Sequence, residues 1–191
     1  MKINQHMFCM KTVKDLLGSK RGALLDIGCW RGTLEKLLPE CEYTGLDIER
    51  AGDTPRNLIL QDLDSKPHLP FEDGTFDIIV CTEILEHLRW PEKVAMEMRR
   101  VLKKDGVMII SLPNEFTIYG RLFHLFGRNT MAEAGHRRCF DLTEARRFMK
   151  ANFAVKKEVY VPAAEFPWTG PLARALPRIF AYWLFFVVGS S

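Results

Sequence analysis

The segment Leu24-Leu25-Asp26-Ile27-Gly28-Cys29-Trp30-Arg31-Gly32 decides the fold, and Gly45-Leu46-Asp47 follows it closely. An apolar run that ends in Asp-x-Gly is typical of a buried strand leaving a sheet through a tight turn. Gly28 permits a backbone conformation and a close ligand approach that a Cβ would hinder. Asp47 follows Asp26 by about 20 positions, the spacing at which an acid on the second strand binds ribose hydroxyls. The pattern predicts a nucleoside-binding βαβ unit, with an ordinary βαβ turn and a chance acid as the alternative.

The rest of the chain alternates apolar runs with helical segments, which favours a parallel sheet with helices on both faces. The runs are apolar at consecutive positions, as expected of strands that are covered on both sides. We predict strands at residues 23–27, 43–47, 58–61, 76–81, 107–111 and 153–161. We predict helices at residues 33–38, at residues 91–102 with Pro91 in the first turn, and from a capping box at Asp141 to about Lys150.

Four later segments follow in a characteristic order, at residues 60–63, 69–81, 85–88 and 102–111. Together with the opening stretch, their order and spacing resemble the class I S-adenosylmethionine-dependent methyltransferases. The resemblance covers residues 22–114 most closely and points to the broad small-molecule group, type 11-like, typified by quinone methyltransferases. It implies a Rossmann-like, doubly wound α/β fold whose mostly parallel seven-stranded sheet has an antiparallel last strand. It also implies that the cofactor is S-adenosyl-L-methionine.

The resemblance assigns the methionyl and ribose parts of the cofactor to the first two strands. Asp26 and Gly28 would shape the methionyl pocket. The helix that opens around Gly32 would place its N-terminus near the methionyl carboxylate. Asp47 would bind the ribose hydroxyls, with Ile48 packed beside the adenine. A plain core position is the alternative for Ile48.

Three further residues complete the pocket that the resemblance implies. Asp62 and Leu63 would meet the adenine edge, and Cys81 would close the pocket near the sulfonium. Asp62 as the cap of a turn and Cys81 as a small core residue are the alternatives.

Trp30 departs from the family pattern, which usually has glycine at this position. The alternatives are that the indole narrows the entrance, stacks on a bound group or marks a weakened cofactor site. We expect it to point away from the methionyl tail and to help cover it. Trp30 also breaks the Gly-x-Gly-x-x-Gly turn of nicotinamide dehydrogenases. A non-catalytic cofactor-binding or assembly protein with a methyltransferase fold is the main alternative function.

Methyl transfer disperses charge, so the positioning of the two reactants can supply much of the acceleration. A hydroxyl or amine acceptor must still lose a proton, and histidine is the usual base at neutral pH. His87 and His136 are the candidate catalytic residues; a structural hydrogen bond is the alternative for His87. No metal ligands have a recognisable spacing, so the sequence predicts no metal.

Residues 115–140 are predicted to form an insertion over the acceptor. Asn114 ends the fifth strand at the carboxyl edge of the sheet, where open α/β folds bind ligands. From residue 116 to 126, apolar and basic residues are interspersed at helical spacing. We predict a lid over a small, apolar or lipid-linked acceptor, contacted by Asn114, Tyr119 and Phe123. A basic helix on a membrane surface and a helix packed on the sheet are the alternatives.

The C-terminal run at residues 179–188 is apolar and aromatic. It is shorter than the roughly 20 apolar residues that a transmembrane helix needs. We predict a buried strand at residues 182–188, which the resemblance places antiparallel between the fifth and sixth strands. A short helix at residues 171–180, interrupted near Pro177, would precede it. An interfacial anchor is the alternative.

Length and composition agree with a single methyltransferase domain over residues 1–191. The net charge of +3 is small and the basic residues are spread out, so we expect no nucleic-acid partner. The five cysteines form no C-x-x-C pair, which argues against a zinc site or a disulfide framework. We expect a cytoplasmic protein acting on a small-molecule acceptor, with peripheral membrane contact left open.

Overall fold

The computed structural model describes residues 3–52, 55–114, 116–126, 135–163 and 167–189. The helices are α1 (Ile3–Leu17), α2 (Thr33–Leu37), α3 (Pro91–Val101), α4 (Ile118–Leu125), α5 (Leu142–Asn152), α6 (Gly170–Ala175) and α7 (Pro177–Phe180), with a 3-10 turn at Pro167–Thr169. The strands are β1 (Ala23–Ile27), β2 (Glu42–Asp47), β3 (Leu58–Leu60), β4 (Phe76–Thr82), β5 (Leu102–Pro113), β6 (Ala154–Val161) and β7 (Trp183–Gly189).

The strands form one sheet in the order β3-β2-β1-β4-β5-β7-β6. Strands β1 to β5 are parallel, and β7 runs antiparallel to both β5 and β6. This confirms the predicted fold class. The strand order reverses between β1 and β4, because the chain first builds outward through β2 and β3 and then returns to the other side of β1. Open α/β sheets bind ligands at this switch point, beyond the carboxyl ends of the strands.

Helices cover both faces of the sheet because alternate residues of each strand point to opposite sides. On one face, Leu25, Ile79 and Ile110 lie in a core cluster with residues of α3 and α5. On the other face, Leu24 and Ile78 lie in a cluster with residues of α1 and α2. All five side chains are fully buried. Truncating any of them to alanine is expected to cost about 2–5 kcal/mol.

The predicted start of a helix at Asp141 is confirmed, with Asp141 as its N-cap. The Asp141 carboxylate accepts a hydrogen bond of 2.7 Å from the backbone N–H of Glu144, and α5 begins at Leu142. A side-chain cap of this kind satisfies one of the N–H groups that a helix leaves unpaired at its start. The cap starts α5, which leads into β6.

The C-terminal run forms the buried strand β7, as predicted. Trp183, Phe185 and Phe186 are fully buried, and the run pairs with β5 and β6 along its length. The interfacial anchor is therefore wrong for this run. Helices α6 and α7 precede the strand and meet at Pro177, where an interruption was predicted. Among the described residues, none of the helices has the length and apolar character that crossing a bilayer requires.

Helix α1 was not predicted. Its residues Cys9, Met10, Val13 and Leu17 are buried against the sheet. This spacing is compatible with one face of a helix, and it was the signal available in the sequence. The helix brings His6 to the turn that follows β1.

Candidate functional site

Two groups of residues lie at the carboxyl ends of the strands. We call residues 26–32, 47–48 and 61–64 the turn edge. We call residues 83–89, 114, 116–126 and 135–138 the histidine edge. They follow different strands and are held together by different kinds of contact.

Asp47 connects the two strands of the turn edge. One carboxylate oxygen accepts a hydrogen bond of 2.7 Å from the backbone N–H of Trp30, and the other accepts one of 2.7 Å from the N–H of Ile48. The N–H of Gly28 also donates to the carbonyl of Leu46 at 2.8 Å. Each carboxylate oxygen keeps further acceptor capacity. The side chain is therefore fixed in place and can still accept hydroxyl donors.

Both predicted turn glycines have a left-handed backbone. The φ angles are 77° at Gly28 and 60° at Gly32, which precedes α2. A Cβ on Gly28 would lie 2.1 Å from Cδ1 of Ile84, a residue that follows β4. Gly28 is therefore required by its backbone and by a neighbouring side chain. The contact with Ile84 was not predicted from the sequence.

Asp26 is buried inside the fold, with 2% of its surface exposed. The Tyr43 hydroxyl donates to its carboxylate at 2.6 Å. Burial raises the pKa of Asp26 to about 7, the negative charge of Asp47 adds to this rise, and the Tyr43 hydrogen bond opposes it. Contact of Asp26 with a ligand stays a prediction.

Asp62, Leu63 and Ile48 differ in exposure. Asp62 caps a turn, because its carboxylate accepts a hydrogen bond of 2.9 Å from the N–H of Asp64, which lowers its pKa. This turn cap was the alternative to an adenine contact, and the adenine contact stays a prediction. Leu63 is buried, whereas Ile48 is 64% exposed, so the core alternative for Ile48 is wrong.

Trp30 adopts a left-handed φ of 45°, where the family usually has glycine. Its indole packs edge-on against the ring of His6, with the ring centroids 4.9 Å apart, and the guanidinium of Arg31 lies 4.8 Å from the ring centre. His6 Nε2 lies 3.0 Å from the hydroxyl of Thr33, and burial is the main reason that its pKa falls to about 4. The Trp30 indole thus packs against His6 of α1. That Trp30 covers the methionyl tail stays a prediction.

Cys81 lies inside β4 and is fully buried. Burial raises the pKa of its thiol, and the negative charge of Glu86 adds to the rise. Cys81 packs in the hydrophobic core, which was the alternative to a cofactor contact. A position of Cys81 near the sulfonium stays a prediction.

The histidine edge brings together the two candidate catalytic residues. The rings of His87 and His136 are 4.7 Å apart at an interplanar angle of 75°. Glu86 lies beside them, and ligand-type atoms of all three residues lie within 4.8 Å of one another. The cluster could not be predicted from the sequence, because His136 is far from Glu86 and His87 along the chain. His87 and His136 were therefore separate candidates, and Glu86 was not selected.

A family model described as a methyltransferase domain matches residues 1–158. This chain belongs to the methyltransferase-domain family. The predicted class I domain and its S-adenosylmethionine cofactor are confirmed by this match and by the fold.

Relatives of this methyltransferase domain act on different atoms. The chain is 31% identical over 114 residues to a ubiquinone biosynthesis O-methyltransferase of Glaesserella parasuis, covering 52% of this chain and 47% of the relative. It is 31% identical over 112 residues to a thiol S-methyltransferase of Homo sapiens, covering 50% and 45%. The chain spans about half the length of these curated relatives.

The fold is also similar to solved methyltransferase structures. The 1,6-didemethyltoxoflavin-N1-methyltransferase of Burkholderia thailandensis, solved with its substrate and S-adenosylhomocysteine, aligns with a TM-score of 0.67 at 14% identity. The alignment covers 98% of this chain and 79% of that structure. At this low sequence identity, the structural alignment shows a shared fold only.

The turn edge of the methyltransferase domain fits its cofactor. Asp47 offers a fixed carboxylate, as a ribose requires, and the exposed side chain of Ile48 next to it offers an apolar surface to a base. Gly28 and Gly32 have no Cβ at the two ends of the turn. The contacts of these residues with the cofactor stay predictions.

Asn114 has a structural role at the end of β5 in the methyltransferase domain. Its amide nitrogen donates to the carbonyls of Pro177 at 3.2 Å and Ala181 at 2.9 Å. Its amide oxygen accepts from the N–H of Phe116 at 3.2 Å. Asn114 thus joins the C-terminal segment to the start of the predicted lid, and direct contact with an acceptor stays a prediction.

The predicted lid is partly described. Its helix α4 contains Tyr119 and Phe123, whose side chains lie outside the described part of the structure, as do residues 115 and 127–134. Several described apolar side chains are exposed in this region: Phe116, Ile118, Leu122, Leu125 and Phe126. Leu125 and Phe126 are 77% and 78% exposed, so at least this end of the segment is not packed on the sheet.

Proposed function

We propose that this domain transfers the methyl group of S-adenosylmethionine to a small apolar acceptor. The observation that carries the proposal is the Asp47 carboxylate, which two backbone N–H groups fix at the switch point of a methyltransferase fold. An acid fixed in advance loses little conformational freedom when it binds a ligand. No feature of the described residues favours the alternative of a non-catalytic binding protein.

In this proposal the turn edge holds the cofactor through the predicted residues. Asp47 accepts the ribose hydroxyls, Ile48 and Leu63 contact the base, and Asp62 meets its polar edge. Gly28 and Gly32 line the methionyl end. When bound, S-adenosylmethionine supplies a methyl carbon that is open to in-line displacement from sulfur.

The acceptor side of the proposal rests on the exposed apolar residues of 116–126. An exposed patch of apolar side chains on a protein surface commonly marks a binding surface. Leu122, Leu125 and Phe126 are each at least 48% exposed. We propose that residues 115–140 cover an apolar acceptor and exclude water from it. Such a segment acts mainly by positioning, which is the main requirement of methyl transfer.

Loss of a proton from a hydroxyl, thiol or amine acceptor would take place at the histidine edge. His87 and His136 are adjacent, and an imidazole has a pKa suited to accept a proton near neutral pH. The methylated atom is an oxygen, sulfur or nitrogen in the relatives named above. For this chain we propose a small apolar acceptor, and turnover with different acceptors identifies the methylated atom.

Turnover with three matched probes tests the proposal. Phenol, thiophenol and aniline share one apolar ring and differ in the reacting atom, and formation of S-adenosylhomocysteine reports methyl transfer to each. We expect at least one probe to raise product formation above the rate without acceptor, and D47N to abolish the increase. Asp105 lies exposed at the opposite end of the sheet, so D105N is the matched control. If no probe raises the rate of the wild-type protein, the acceptor class is wrong.

A further inference from the structure

Glu86, His87 and His136 have the chemistry of a metal-ligand set. They provide one carboxylate and two imidazoles, with ligand atoms that all lie within 4.8 Å of one another. Two imidazoles and one carboxylate are a recurring ligand set for divalent transition metals. The sequence predicted no metal, because one histidine follows β4 and the other lies near the end of the insertion.

The backbone holds the three residues together. The N–H groups of Arg137 and Arg138 donate to the carbonyl of Glu86 at 2.9 and 3.1 Å. The Arg138 guanidinium pairs with Glu92 of α3 at 2.7 Å. These bonds attach residues 135–138, near the end of the insertion, to the loop after β4, so the approach of His136 to Glu86 has a structural basis.

The hydrogen bond of His87 fixes its tautomer. Nδ1 lies 3.3 Å from the carbonyl oxygen of Gly135, and a carbonyl can only accept, so Nδ1 carries the proton. In the neutral ring, Nε2 then carries the lone pair. Metal-binding histidines commonly donate their second ring N–H to a carbonyl or carboxylate in this way. His87 is therefore prepared for coordination through Nε2.

Glu86 adds a second, independent observation. Its side chain is fully buried, although it carries a carboxylate. Burying a carboxylate is costly unless a proton or a cation compensates for its charge. A divalent cation at the point where the two imidazoles meet would add to the charge compensation that burial of this carboxylate requires.

We propose that Glu86, His87 and His136 bind one divalent transition-metal ion, and that Zn²⁺ suits this ligand set best. In a tetrahedral zinc site the ligand atoms lie about 3.4 Å apart. A change of the His136 side-chain rotamer, which leaves the His87–Gly135 hydrogen bond in place, would close the present spread. Three protein ligands leave a fourth position for water or for an oxygen of the acceptor. A zinc-bound water loses its proton near neutral pH, so with the ion bound this hydroxide would take the acceptor's proton at the histidine edge in place of an imidazole.

Metal titration of the full chain tests the site. The purified protein is dialysed against a chelator and then titrated with Co²⁺, whose visible absorption reports the coordination geometry, and with competing Zn²⁺. We expect one ion per chain in the wild-type protein. We expect H136Q and E86Q to weaken binding at least about 100-fold, because even the outer partners of metal ligands contribute about 10- to 100-fold.

Two matched controls separate this site from adventitious binding. His68 is exposed and pairs with Glu97 instead of the cluster, so H68Q should bind the ion like the wild-type protein. Cys139 is an exposed thiol three positions after His136, and C139S should also leave binding unchanged. Equal binding by wild-type protein and H136Q, or loss of binding in C139S, would overturn the proposal.

Two further measurements on the same protein samples distinguish failure of the metal site from failure of the proposed function. Circular dichroism and a titration with S-adenosylmethionine are measured on each variant. His136 is partly exposed, so H136Q decides the question if E86Q does not fold. A wild-type protein that binds S-adenosylmethionine but no Co²⁺ would refute the metal site and leave the proposed function standing.

Discussion

The turn edge and the histidine edge differ in how their side chains are held. At the turn edge, Asp47 is fixed by the backbone of the neighbouring turn, within one βαβ unit. At the histidine edge, Glu86 is joined to Arg137 and Arg138, and Asn114 to Ala181, across long stretches of chain. The position of Asp47 is therefore set by local structure, whereas the histidine edge depends on the completed fold. Substitutions should separate the two.

The largest effect is expected from G28V at the turn edge. A Cβ there would lie 2.1 Å from Ile84, and the φ of 77° disfavours any side chain. Overpacking and backbone strain together should destabilise the fold by about 4 kcal/mol, and affinity for S-adenosylmethionine should fall at least about 100-fold. Gly74 has a φ of 63° and open space around it, so G74V should lose only about 1 kcal/mol. Urea unfolding of both variants measures this difference; equal losses would contradict it.

A smaller effect is expected from D26N, and it depends on pH. The pKa of Asp26 is about 7 in the folded protein and near 3.8 when unfolded, so the folded state binds more protons between these values. The stability that Asp26 contributes is present below pH 3.8 and is lost as the pH rises through 7. D26N should therefore gain about 3 kcal/mol relative to the wild-type protein between pH 4 and pH 8. Urea unfolding across this range gives the value, and parallel curves would refute the burial argument.

The next effect tests the histidine edge. N114A removes two hydrogen bonds to the C-terminal segment and one to Phe116, which should cost about 2 kcal/mol. Because Asn114 joins this segment to α4, KM for an active apolar probe should rise more than kcat falls. N57A removes a single bond to Thr44 at the other end of the sheet and is the control. An N114A protein with wild-type stability would show that these bonds contribute nothing.

The smallest effect on stability is expected from L125N. Leu125 is 77% exposed, so the substitution should change the free energy of unfolding by less than about 0.5 kcal/mol. Turnover of an active probe should nevertheless fall several-fold if residues 115–140 cover the acceptor. Met96 is 63% exposed on α3, and M96N should change neither quantity. Equal turnover by L125N and M96N would remove the lid from the proposal.

The same difference explains how much could be predicted from the sequence. Consecutive apolar residues predicted β1, β4 and β7, because strands covered on both faces leave few polar positions. The cap at Asp141 was predictable since its partner lies three residues away. Helix α1 was missed because Met7, which is apolar but exposed, lies beside its buried residues and obscures the helical period.

The parts of the site that escaped prediction depend on long-range contacts. The meeting of His136 with Glu86, the contact of Ile84 with Gly28 and the clamp of His6 on Trp30 all join separate elements. No local pattern encodes such a contact, because the residues come together only when the sheet is complete. A search for metal ligands by their spacing along the sequence misses this cluster for the same reason, because His136 is far from Glu86 and His87 in the chain.

Titration of S-adenosylmethionine into wild-type protein, D47N and D105N tests the central claim most directly. A carboxylate that accepts ribose hydroxyls contributes about 1.5–3 kcal/mol, so D47N should bind about 10- to 100-fold more weakly while D105N matches the wild-type protein. Equal affinity of all three proteins would contradict the claim that Asp47 holds the cofactor.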